Sequence, residues 1–168
     1  MLSKNIEIAL NKQIRIEAES SQTYLSMACW AEVSGLEGIA QFMFAQSDEE
    51  RLHMLKLIKY VNERGSHAKI TDLKAPKTTY ETFKDMFEEL YKHEIFVSDS
   101  INELVHITFS EKDYATHNFL QWYVAEQIEE EATAKSILDK INLIGDDKGG
   151  LYLFDRDLQQ VALVKPAI

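Results

Sequence analysis

Cysteine is nearly absent from this chain of 168 residues, glycine and proline are sparse, and positive charge is outnumbered. The single Cys29 excludes a disulfide framework and a cysteine-based zinc site. Six Gly and two Pro leave few places to turn, so the regular elements must be long. Eighteen Lys and Arg stand against 28 Asp and Glu, a net charge of −10. Such a chain repels phosphate backbones, which excludes nucleic acid as an expected partner and favours cations. No apolar run approaches the ~20 residues needed to span a bilayer, so no membrane partner is expected. The charged start (Lys4, Glu7, Lys12, Arg15) does not read as a signal peptide, and a reducing, cytoplasmic location is the expectation. What the chain does hold is apolar material, 45% of its residues, enough to fill the core of one domain spanning 1–168 and too much for a disordered chain.

Apolar residues recur at three- and four-residue intervals over four long segments, the helical period. These predict helices at about 3–34, 37–64, 78–108 and 110–144, and a short apolar segment predicts a fifth at about 151–164. Gly35 and Gly65 stand where the first two helices stop. Thr78 with Glu81 reads as a capping box opening the third, and Ser110 with Asp113 as the cap of the fourth. Short connections make the first and second helices antiparallel neighbours, and likewise the third and fourth. The connection 66–77 is different. A helix of about 28 residues is about 42 Å long, and a dozen extended residues reach about 40 Å. The expected fold is therefore all-α, a four-helix bundle with one long crossover between the second and third helices, plus a short C-terminal helix. Leu151, Leu153, Phe154, Leu158, Val161 and Leu163 of that last segment are too many apolar side chains for an exposed appendage, and burial against another subunit is expected.

Carboxylates interrupt each apolar seam. The third helix steps through Phe83, Phe87, Leu90, Glu94, Val97, Ile101 and Leu104. The second steps through Ile39, Met43, Gln46, Glu50, His53, Leu57 and Val61. The first places Glu17 and Tyr24 with Ile6, Leu10, Ile14 and Ala28. The fourth places Gln127 and Glu130 with Leu120, Tyr123, Ala134, Ile137 and Ile141. If the two turns are centred near 35.5 and 110.5, Glu17 lies level with His53, and Glu94 with Gln127 and Glu130. Burying one ionised carboxylate costs several kcal/mol, and four together repel one another. Such groups are either protonated and hydrogen-bonded or turned to solvent, or they hold cations. No Lys or Arg shares their stripes. Two divalent ions would balance Glu17, Glu50, Glu94 and Glu130, with His53 as a nitrogen ligand. The Glu50-x-x-His53 spacing is weak by itself, since Glu103 and His106 repeat it off the seam, where it reads as a solvated face. Glu49, Glu126 and Glu129 flank the set and read either as a further ion site or as exposed acids. Tyr24 and Trp122 read as core aromatics or, near a redox metal, as groups that donate an electron or hydrogen-bond a bound intermediate. His67, His93 and His117 show no usable spacing.

In these residues the chain resembles the bacterial non-haem ferritins over its whole length. The resemblance implies a ferritin-like domain whose metal-ligand set is Glu17, Glu50, His53, Glu94 and Glu130 with Gln127, and whose catalytic residues include Tyr24 as well. It implies one iron on Glu17, Glu50 and His53, and a second that shares Glu50 and is held by Glu94 and Glu130. A third, weaker position would use Glu49, Glu126 and Glu129 with Glu130. Fe²⁺ oxidation by O₂ or hydrogen peroxide and mineral storage inside a shell of 24 identical subunits are further implications. Related di-iron proteins carry Glu-x-x-His on two helices, whereas here the fourth helix offers Gln127 and Glu130, which favours iron in transit over a retained di-iron cofactor for a peroxidase or oxygenase. Leu52, where haem-binding relatives present Met, argues against haem.

Overall fold

The computed structural model describes the backbone of residues 1–164 and the side-chain surroundings of residues 1–160. Five helices follow one another: α1 (Lys4–Val33), α2 (Glu37–Glu63), α3 (Phe83–Ser110), α4 (Tyr114–Ile144) and α5 (Lys148–Val164). The α1–α2 and α3–α4 pairs are antiparallel hairpins that pack together, with α5 laid against α2 and the end of α4. Gly35 takes a φ of +77°, and Leu36 N–H then bonds back to the Ala31 carbonyl at 3.0 Å. This left-handed step closes the end of α1 and reverses the chain.

The crossover travels along α1. Asn11 bonds the His67 carbonyl and accepts from Lys69 N–H, Glu19 accepts from Lys74 N–H, and Ser26 donates to the Lys77 carbonyl. Chain direction therefore runs with α1 and against α2, which delivers α3 beside the start of α2. The seams meet accordingly: Ser20 with His93 and Ser100 with Gln13 make α1 and α3 antiparallel.

Three boundaries differ from the sequence-based expectation. α3 begins at Phe83 rather than near Thr78, and its cap is Thr82, whose hydroxyl accepts from Asp85 N–H at 3.1 Å. The intervening chain stays out of the helix, with Tyr80 turned into the core, edge-on to Trp30. α3 also runs through Ser110, so Asp113, not Ser110, caps α4 by accepting from Thr116 N–H. α5 starts earlier, at Lys148, because the Asp147 carboxylate takes the N–H groups of Gly149 and Gly150.

The tail also departs from expectation. Phe154 and Leu158 are buried within the same chain, with Phe154 edge-on to Phe87, while Leu153 stays exposed. For Phe154 and Leu158 the bundle end supplies burial that was expected from a second subunit. Val161 and Leu163 lie outside the described side chains. Contact at this end is very close. A Cβ on Gly38 would stand 1.7 Å from the Asp155 carbonyl oxygen, and the Asp155 carboxylate accepts from Ile39 N–H at 2.9 Å. That carboxylate caps α2, whose own N-cap Leu36 has no side chain to do so. Gly38→Ala should therefore destabilise. Helix propensity alone would favour Ala by roughly 0.5–1 kcal/mol, but a backbone clash of this kind costs about 1–3 kcal/mol or more. A thermal melt with limited proteolysis after residue 145 checks this; a raised melting temperature would refute the docking.

Two apolar clusters fill the bundle. One, at the α5 end, includes Tyr24, Met43, Phe87, Leu90 and Ile137, and the other, at the far end, includes Ile14, Leu57, Val97, Ile101 and Tyr123. Between them lies a polar layer.

Candidate metal centre

All four long helices contribute to that layer. Glu17, Glu50, His53 and Glu94 are each 1% exposed, and Gln127 and Glu130 are 6% exposed. Ligand atoms of Glu17, Glu50 and His53 all lie within 4.8 Å of one another. Glu50 and His53 project together because three residues on a helix return to the same face; Nδ1 of His53 sits 3.4 Å from Oε2 of Glu50 without hydrogen-bonding geometry. Glu94 approaches from α3 and Glu130 from α4, close enough for their charges to act on Glu50.

Neutral donors orient these carboxylates. The Tyr24 hydroxyl donates to Oε1 of Glu94. Gln127 Nε2 donates to Oε2 of the same carboxylate at 3.2 Å, Gln46 Nε2 to Glu130 at 2.9 Å, and Gln13 Nε2 to Glu17 at 2.9 Å. Gln127 thus turns its amide nitrogen, not its oxygen, toward Glu94. Tyr123 donates to the His53 carbonyl, and the Trp122 ring stands edge-on to the His53 ring at 5.2 Å.

The electrostatics are those of several acids crowded into one buried layer. Burial, then the Glu50 charge, raises Glu17 well above the usual carboxylate range. Burial, then the Glu94 charge, does the same to Glu50. Burial lifts Glu94 to about 7, against the hydrogen bonds from Tyr24 and Gln127 that lower it. Tyr24 is raised by burial and by the Glu94 charge, which keeps its proton in place to donate. No Lys or Arg forms an ion pair with Glu17, Glu50 or Glu94 among the described residues. Buried with no hydrogen-bond partner are Glu17 Oε2, Glu50 Oε2 and His53 Nε2. Each such atom costs about 1–3 kcal/mol, more if charged. Oxygen and imidazole donors left open at one point match a borderline divalent ion such as Fe²⁺.

The flanking acids divide. Glu49 and Glu126, both half-buried, come within 4.8 Å of His53 through their ligand atoms. Glu129 is exposed and joins neither cluster. Glu103 and His106 are both exposed, as a solvated face would be. Two residues gain a place that their sequence positions did not suggest. His93 bonds Ser20 at 2.7 Å and stands edge-on to Tyr24. Gln13, four residues before Glu17 and thus one turn away on the same face, is the donor that spacing alone would have allowed.

Residues 7–144 match the ferritin family, described as a ferritin-like domain. The chain is 49% identical, over 94% of its length and 96% of the relative's, to a probable bacterial non-heme ferritin-like protein of Haemophilus influenzae. It is 46% identical to a bacterial non-heme ferritin of Campylobacter jejuni, over 97% and 98% of the two chains. Among solved structures, it superposes on an open pore ferritin of the archaeon Archaeoglobus fulgidus with a TM-score of 0.93, at 43% identity over 95% and 98% of the chains.

Proposed function

The chain belongs to the ferritin family, and from that premise we propose that its polar layer is a ferroxidase centre. The protein serves iron storage. Iron is here a substrate, taken up as Fe²⁺ and passed on as Fe³⁺. One ion would rest on Glu17, Glu50 and His53, and a second on Glu50, Glu94 and Glu130. Gln127 and Tyr24 would orient Glu94 from outside the coordination sphere. A third ion would use Glu49 and Glu126, with the exposed Glu129 moving in beside Glu130. The observation that carries the reading is that Glu17, Glu50 and His53, three residues of a single cluster, each bury an atom with no hydrogen-bond partner.

The chemistry balances over a pair of ions. Each Fe²⁺ gives up one electron, and the two electrons with two protons reduce O₂ to hydrogen peroxide, or hydrogen peroxide to water. Anionic oxygens stabilise the harder Fe³⁺ more than Fe²⁺, so the carboxylates favour the forward direction. Water is largely excluded by the apolar clusters on either side. Identical copies would then enclose the cavity that receives the product, and we take that shell to contain 24.

Light scattering on the purified protein should give about 470 kDa for 24 copies of the 19.4 kDa chain. Anaerobic titration should bind two Fe²⁺ per chain tightly, and air should then oxidise them stoichiometrically. A monomer or dimer with no stoichiometric oxidation would sink the proposal.

A further inference from the structure

Three glutamines each offer an N–H to a different site carboxylate: Gln13 to Glu17, Gln46 to Glu130 and Gln127 to Glu94. An amide's two ends have nearly the same shape and opposite polarity. Turned one way it supports a carboxylate; turned the other way it sets oxygen against oxygen. Some neighbour must hold each amide in the supporting orientation, and for two of them that neighbour is a serine of α3.

Ser100 Oγ donates to Gln13 Oε1 at 2.7 Å, which fixes the oxygen end and leaves Nε2 for Glu17. Ser98 works with the opposite polarity. Its one hydroxyl proton goes to the carboxylate of Glu131, so toward Gln127 it presents only lone pairs. Gln127 Nε2 lies 3.3 Å from Ser98 Oγ and 3.3 Å from the Glu94 carbonyl oxygen. A carbonyl can only accept, so the nitrogen end must face this way. Ser98 and Gln127 are both buried, while Glu131 reaches the half-buried margin.

We propose that Ser98 and Ser100 are positioning residues of the metal centre, each holding one glutamine amide and thereby tuning one of the two ion positions. Ser100 acts through Gln13 on the ion at Glu17, Glu50 and His53. Ser98, kept polarised by Glu131, acts through Gln127 on the ion at Glu94 and Glu130. The inference rests on the ferroxidase reading, and it adds residues that touch neither ion. Groups that hold metal ligands in place typically change metal affinity by about 10–100-fold when lost.

The test uses the full, assembled chain and Co²⁺ under anaerobic conditions. Calorimetry gives the two tightest affinities, and visible absorption separates the histidine-ligated position from the all-oxygen one. Ser100→Ala should weaken the histidine-ligated ion by about tenfold or more and leave the other within twofold. Ser98→Ala should do the reverse, and Glu131→Ala, at the margin of the fold, should reproduce it. Ser98→Thr and Ser100→Thr keep the hydroxyl and should restore the parent affinities. If parent and variants bind both ions alike, or if each Ala variant weakens both ions equally, the inference falls. A parent chain that binds no Co²⁺ would overturn the ferroxidase reading itself.

Discussion

Glu50→Gln should abolish the fast phase of Fe²⁺ oxidation while leaving the metal-free bundle as stable as before or more so. Glu50 has influence on both halves of the layer. It lies in the cluster with Glu17 and His53, and the charges of Glu94 and Glu130 act on it. If Glu50 serves both proposed ions, its loss as an anionic ligand removes several kcal/mol of charge stabilisation, or roughly 10²–10³ in rate at about 1.4 kcal/mol per tenfold. Stability should move the other way, because the amide relieves a buried acid that its neighbours repel. Stopped-flow oxidation and melting of the chelated protein check both halves. Fast oxidation at the parent rate would refute the assignment, and a large loss of stability would recast Glu50 as a structural residue.

Without metal, stability should fall as pH rises from about 4.5 to about 7, opposite to the acid denaturation of most proteins. In the unfolded chain Glu17, Glu50 and Glu94 lose their protons near the ordinary 4.5. Folded, all three hold them to higher pH, Glu94 to about 7. The folded state then binds more protons, so this contribution is complete below 4.5 and is lost as pH passes through the folded values. Divalent ions reverse the slope, since they require the deprotonated carboxylates and release their protons on binding. Melting temperature against pH, with chelator and with saturating Co²⁺, reads this directly. Parallel curves would mean that the acids are not coupled to a cation site.

Much of this was legible before any coordinates. The level calculation pairing Glu94 with Gln127 rests only on helix rise and the turn positions, and the two residues do hydrogen-bond. The crossover followed from its length, and it does run along α1. What failed were features decided by tertiary contact. Thr78 has the chemistry of a cap, but Tyr80 enters the core and the helix starts only after Thr82. The apolar residues of α5 announced that they needed burial without saying where. Phe87 and the start of α2 answer for Phe154 and Leu158. Hydrogen-bond direction is not encoded in hydropathy, so the sequence gives Gln46 a place on the seam without a role and does not mark Gln13 at all.

The split of the proposed ligands between two hairpins bears on how the chain reaches its native state. Glu17, Glu50 and His53 come from the α1–α2 hairpin, which can form through local contacts; Glu94 and Glu130 come from the α3–α4 hairpin on the far side of the crossover. Docking of the halves is therefore the step that drives the acids together, and it is the slow, non-local one. Its barrier carries their mutual repulsion, so a cation captured early by the first hairpin would speed refolding, and the cargo would help to build its own container.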